Sequence, residues 1–226
     1  MKVGALFTGG KDSTYSAFLA AKENELACLM NMYSENRDSY MFHTVGNELL
    51  NLQAKAMSIP LERYATKGLK EEELGDLKDF IKKMKEKYDI GGVVSGALAS
   101  EYQYKRINTI LEELSLKSIT PLWHIDVKKY ISDFINAGFK AVIVSVSADG
   151  LDETWLGKEI NNENLQKLIE LSEKYRFHLG FEGGEAETAV LDGPNFKYSI
   201  NITGSKIINE AGKYYLEIKS VETSNK

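Results

Sequence analysis

From residue 3 to residue 123, short apolar runs closed by small or polar turns alternate with longer stretches whose apolar residues recur every three or four positions. Such a chain reads as strand, crossover helix, strand, and right-handed crossovers of this kind build an open parallel sheet covered by helices. The fold class is therefore α/β. The strand-like runs are 3–7, 26–33, 61–65, 91–94 and 119–123. Helical stripes lie between them: Tyr15, Phe18 and Leu19; Val45, Leu49, Leu52, Ala56 and Met57; Leu74, Leu77, Ile81, Met84 and Tyr88; Ile107, Ile110, Leu111 and Leu114. Beyond residue 120 the pattern changes. Val127, Tyr130, Ile131, Phe134 and Ile135 mark a helix, 141–146 a strand, and Leu165, Leu168, Ile169 and Tyr175 another helix. A hairpin of 200–207 and 214–218 closes the sequence around Glu210, Ala211 and Gly212. The change of pattern divides the chain into 1–120 and a smaller α+β region, 121–226.

The first turn carries chemistry. Phe7-Thr8-Gly9-Gly10-Lys11-Asp12-Ser13 follows the first strand and opens the first helix. Paired glycines let successive N–H groups converge, and a helix N-terminus adds unpaired donors and a positive dipole end. Lys11 supplies a full charge, while Thr8 and Ser13 supply hydroxyls, so the expected guest is phosphate. The spacing is not GxxxxGK[ST], which disfavours kinase-like and GTPase-like chemistry. In an open parallel sheet ligands gather beyond the carboxyl ends of strands, which puts a second small-residue turn, Ser95-Gly96-Ala97, beside the first. Tyr102 and Arg106, four apart on the following helix, offer an anion clamp; a surface salt bridge is the alternative use of Arg106. His43 and His124 read as structural.

A third informative stretch is Phe181-Glu182-Gly183-Gly184-Glu185-Ala186-Glu187-Thr188. If the chain runs on as a strand, Glu185 and Glu187 share a face with Ala189 and Leu191, and Glu182 returns from across the turn. Such carboxylates can bind Mg²⁺, hold an ammonium-like group or act as a base.

Bulk properties exclude several classes. No apolar run approaches the ~20 residues of a membrane span, and the N-terminus enters a strand with no signal pattern, so a cytoplasmic protein is expected. A single cysteine, Cys28, rules out internal disulfides and Cys-ligated zinc, and its apolar surroundings make it a core residue. The net charge of −5 disfavours a surface built to hold nucleic acid.

Thr8-Gly9-Gly10-Lys11-Asp12-Ser13 resembles the SGGKDS loop of the N-type ATP pyrophosphatases, with threonine in place of the first serine. Met41-Phe42-His43-Thr44, Gly96-Ala97 with Ser100, Tyr102-Gln103 with Arg106, Pro121-Leu122-Trp123 and the acidic turn 182–188 resemble the diphthine–ammonia ligase family, nearly throughout the chain. The resemblance implies an adenine nucleotide α-hydrolase-like sheet and ATP-driven amidation of diphthine on translation elongation factor 2, with release of AMP and pyrophosphate. It implies an ATP and Mg²⁺ site in which Leu6 and Met32 contact adenine, Thr8, Gly9, Gly10, Lys11 and Ser13 hold the β- and γ-phosphates, and Ser95, Gly96 and Ala97 approach the α-phosphate. Asp12 would orient the metal. Ser100, Tyr102 and Arg106 would bind substrate, with Arg106 on phosphate or carboxylate. Lys11, Glu182, Glu185 and Glu187 are the catalytic candidates, the glutamates being assigned to ammonium capture, deprotonation or metal binding without a choice among them. Free ammonium is the expected nitrogen donor, and homo-oligomerisation is left open. The length resembles archaeal family members without the additional C-terminal domains of longer ones. Two rival readings are an adenylating relative acting on tRNA and a nucleotide-binding regulator without turnover.

Overall fold

The computed structural model describes residues 1–34, 46–66, 72–210 and 212–226. The segment 41–44, including His43, the stripe residue Val45 and the expected helix start at Glu71 lie outside the described residues. Contacts gather the described residues into two units. The first holds those of Met1–Thr8, Asp12–Thr44 and Ser58–Trp123; the second holds those of Gly9–Lys11, Val45–Met57 and His124–Lys226.

The first unit is a five-stranded sheet in the order β3-β2-β1-β4-β5, formed by Leu61–Thr66, Glu25–Ser34, Lys2–Leu6, Gly92–Val94 and Lys117–Ile119. Every pairing is parallel. Helices α1 (Lys11–Ala20), α3 (Glu72–Tyr88) and α4 (Glu101–Glu113) supply crossovers. Strand order reverses between β1 and β4, the place where an open α/β sheet parts its loops and admits a ligand. Cys28, Met30 and Met32 of β2 join Leu77, Phe80, Ile81 and Met84 of α3 and Ile107, Ile110 and Leu111 of α4 in one buried cluster. Cys28 has no exposure, and burial pushes its thiol up to about 12, so it is a core residue with no thiolate to offer.

The fifth strand differs from its expected position. It ends at Ile119, and residues 121–124 form a turn in which Trp123 N–H donates to the Thr120 carbonyl at 3.1 Å. Pro121 has no N–H to give a ladder, so the apolar Leu122 and Trp123 are used in tertiary packing instead. Leu122 is fully buried and the Trp123 ring stacks on Tyr104 at 3.9 Å between centroids.

The second unit is an antiparallel sheet in the order β7-β6-β9-β8, formed by Ala186–Asp192, Lys140–Val146, Lys213–Asn225 and Tyr198–Glu210. Its helices are α2 (Asn47–Met57), α5 (Val127–Asn136) and α6 (Asn162–Tyr175). Asp126 caps α5 by accepting the Lys129 N–H at 2.7 Å, and Tyr130, Ile131 and Phe134 form its buried stripe. Helix α2 is tied to the start of β8, where Lys197 N–H donates to the Ala56 carbonyl and Tyr198 Oη to the Leu52 carbonyl. The β8–β9 hairpin is longer than the sequence predicts: pairing runs from Tyr198 with Asn225 to Glu210 with Lys213, so the polar positions Ser199, Asn209, Thr223 and Ser224 also join the ladder.

Candidate active site: the glycine loop and the acidic turn

The chain leaves β1 through Phe7 and Thr8 and turns at Gly9, whose φ of +78° lies in the region where an L side chain is strained. Within the first unit, Ser13 Oγ accepts the Thr8 N–H at 3.2 Å and lies 3.2 Å from Thr8 Oγ1. This ties the strand end to the first turn of α1 and clusters both expected hydroxyls. Asp12, half-buried, is the acid of that first turn.

The Ser95–Ala97 turn after β4 comes against the same place. A Cβ on Gly96 would stand 2.9 Å from Asp12 C and Ser13 N, so only glycine lets the two backbones meet. Ser95 and Ala97 are buried. Leu6 is half-buried against the core cluster, whereas Met32 lies inside it at 3% exposure. Ser100 caps α4, its hydroxyl accepting the Gln103 N–H. The Arg106 guanidinium lies 3.4 Å from the Tyr102 ring centroid, a cation–π stack between the two residues read as an anion clamp.

In the second unit, Gly9–Lys11 runs beside β7. The Gly9 carbonyl accepts from Val190 N–H at 2.9 Å and from Gln53 Nε2 at 2.8 Å, while Lys11 N–H donates to Thr188 Oγ1 at 3.0 Å. Lys11 is 1% exposed; its ammonium donates to the Gly180 carbonyl at 2.8 Å and lies 5.2 Å from the Phe181 ring centroid. The lysine of the loop is thus held against Gly180 and Phe181, where the turn that carries the acids begins.

That turn is braced by its own glutamate. Glu185 Oε1 accepts the His178 N–H at 3.0 Å and Oε2 the Gly183 N–H at 2.8 Å. Its carbonyl accepts from Ser147 N–H, and Ser147 Oγ donates to the Gly184 carbonyl at 2.7 Å. Glu187, in β7, pairs with Lys213 of β9 at 2.8 Å. Glu182 is half-buried. Glu185 and Glu187 therefore do not project together as a strand would have them. The strand begins only at Ala186, and the carboxylate before it folds back onto turn amides. Among the described residues no three acidic, histidine or cysteine side chains form a group able to hold a metal ion.

Sequence reasoning missed Gln53 and the role of Thr188. The available signal for Gln53 is a polar residue four from Leu49 and four from Met57, in the middle of an apolar stripe. It has no exposure in the structure. For Thr188 no sequence signal existed, because its partner lies 177 positions away.

A family model described as the diphthamide synthase N-terminal domain matches residues 1–118, and one described as the diphthamide synthase C-terminal domain matches residues 126–223. The diphthine–ammonia ligase of Mus musculus is 35% identical, over 99% of this chain and 91% of that one. Those of Bos taurus and Homo sapiens are 33% and 35% identical, over 96% and 92% of this chain and 89% and 85% of theirs. A solved structure, a predicted subunit of tRNA methyltransferase from Methanocaldococcus jannaschii, overlays with a TM-score of 0.46 at 15% identity, covering 86% of this chain and 98% of that one. A likeness that loose carries no functional weight.

Proposed function

The chain belongs to the diphthamide synthase family, and from that membership we propose that it is a diphthine–ammonia ligase, forming diphthamide on translation elongation factor 2 from ATP and ammonium. The observation that carries the reading is the reach of the likeness, which includes both the glycine loop and the acidic turn. Residues 1–120 would bind ATP and 121–226 would serve the acceptor, in the cytoplasm. No helix among the described residues is long and apolar enough to cross a membrane.

In the proposed reaction a carboxylate oxygen of diphthine bonds to the α-phosphorus of ATP as the bond from that phosphorus to pyrophosphate breaks. Ammonium gives up a proton, its nitrogen bonds to the acyl carbon, AMP leaves with the acyl C–O electrons, and the nitrogen sheds a second proton to the base or to solvent to leave the neutral amide. Charge grows on the departing pyrophosphate, so fixed donors around it contribute most. Within the first unit, the close approach of Gly96 to the first turn of α1 suits a phosphate chain, because only small residues fit there and a helix N-terminus favours an anion. Lys11 would add its charge to the phosphates, an ammonium having three protons to serve a carbonyl and an anion together. Mg²⁺ keeps several waters and needs few protein carboxylates when phosphates are present; Asp12 would hold it, and it would supply charge neutralisation. Ser95 and Ala97 would flank the α-phosphate. Arg106, stacked on Tyr102, would hold an acceptor carboxylate. Glu182, Glu185 and Glu187 would share the capture of ammonium and the removal of its proton.

The test is to supply the purified chain with diphthine-bearing elongation factor 2, ATP and ammonium. Diphthamide with equivalent AMP and pyrophosphate is the expected outcome. ADP and phosphate would sink the adenylate route, and a folded chain that forms no amide would sink the assignment.

A further inference from the structure

Hydrogen bonds join the loop residues Gly9 and Lys11 to elements far away in sequence, and two of them engage side chains with no assigned part in the reaction, Gln53 as donor and Thr188 as acceptor. Gln53 is wholly buried on α2, and its Nε2 donates to the Gly9 carbonyl at 2.8 Å and to the Val190 carbonyl at 2.7 Å. Two carbonyl acceptors fix which end of the amide is nitrogen. The other end, Oε1, is buried without a partner among the described residues. A buried acceptor left unpaired is a cost that a leucine at this position would avoid. The glutamine is kept for what its nitrogen does.

The Gly9 carbonyl also accepts the Val190 N–H, so donors on two sides pin it toward β7. In a planar trans peptide the carbonyl and the next N–H point in opposite directions. Fixing the Gly9 carbonyl therefore fixes the direction of the Gly10 N–H, away from β7. Lys11 N–H is one of the orphan donors at the start of α1. Thr188 Oγ1 accepts it and does the work of an N-cap from another part of the chain.

We infer that Gln53 and Thr188 are positioning residues for ATP: by gripping the Gly9 carbonyl and the Lys11 N–H they hold the Gly9-Gly10-Lys11 backbone in the conformation that receives the phosphates. Thr188 lies one residue beyond Glu187, so the strand that carries an acceptor-side acid also sets the phosphate loop. The inference rests on the ATP-dependent reading proposed above.

Thr188→Val removes the hydroxyl at constant volume, Thr188→Ser restores it, and Gln53→Leu removes both donors. Binding of a non-hydrolysable ATP analogue is measured without acceptor, and kcat with the KM values for ATP and ammonium in the amidation assay. Thr188→Val and Gln53→Leu should each weaken analogue binding about tenfold, the scale of one lost hydrogen bond with its partner left buried. They should raise the ATP KM and lower kcat while leaving the ammonium KM unchanged. Thr188→Ser should return to within about twofold of the wild type, since the acceptor atom is back. Wild-type analogue affinity in Thr188→Val, or Thr188→Ser as poor as Thr188→Val, overturns the inference. Where Gln53→Leu yields no folded protein, the Thr188 pair decides. A wild-type chain that binds the analogue but makes no amide defeats the assigned reaction alone, because the binding comparison still stands; one that binds no analogue overturns both.

Discussion

Both carboxylate oxygens of Glu185 are met by backbone N–H groups, so replacing one oxygen by an amide sets donor against donor. Glu185→Gln should cost about 1–3 kcal/mol through the unpaired N–H it creates, and the midpoint of thermal unfolding should fall by several degrees. Full thermal stability with amidation lost would instead assign the carboxylate to the chemistry. Asp192 makes a separate electrostatic case. Burial pushes its carboxyl up, but the Lys226 ammonium at 2.6 Å, the Ser199 hydroxyl at 2.7 Å and the Gly193 N–H hold it below the usual range. A depressed folded-state value means the stabilisation is present above the unfolded aspartate value, near 4, and is lost as pH falls through the folded value. Asp192→Asn should therefore cost about 1–2 kcal/mol at neutral pH, discounted for the part-exposed lysine, and the gap should close as pH drops below about 4. Chemical denaturation of both proteins across that range measures it, and a gap independent of pH would refute the linkage.

At the scale of elements, the meeting of the β4 turn with the first turn of α1 is the contact most sensitive to one added carbon. Gly96→Ala would put a methyl 2.9 Å from backbone atoms of Asp12 and Ser13, which cannot swing aside as a side chain could. The expected result is a loss of about 1–3 kcal/mol of stability with a raised ATP KM. Gly91→Ala is the control, because its nearest neighbour is the flexible Met1 thioether at 3.3 Å, and it should leave the ATP KM unchanged. An ATP KM untouched in Gly96→Ala would separate the turn from the nucleotide. This contact was legible in the sequence, since alternating strands and helices put both turns at the carboxyl edge of a parallel sheet. The end of β5 was not, because Leu122 and Trp123 are apolar whether they extend a strand or fill a turn. The acidic turn was legible as chemistry but not as geometry. Which carboxylate folds back depends on where β7 begins, one residue after Glu185.

For the whole molecule, the division of the sequence near residue 120 and the division of the contacts are different things. The second unit takes Gly9–Lys11 and Val45–Met57 from the N-terminal half, so the phosphate loop is held by residues more than a hundred positions away. Hydrophobic periodicity reports which face of an element is buried, not which distant backbone it will meet, and this is why the bracing of the loop escaped the sequence. A fragment of residues 1–120 keeps every loop residue and Gln53 but loses Val190, Thr188 and Gly180, the partners of the Gly9 carbonyl, the Lys11 N–H and the Lys11 ammonium. Three hydrogen bonds at about 1 kcal/mol each correspond to roughly a hundredfold in affinity. The fragment should therefore bind a non-hydrolysable ATP analogue about a hundredfold more weakly than the full chain, by titration calorimetry at matched salt. A folded fragment with full affinity would mean that the loop orients itself, and that its tie to the acidic turn serves the acceptor step alone.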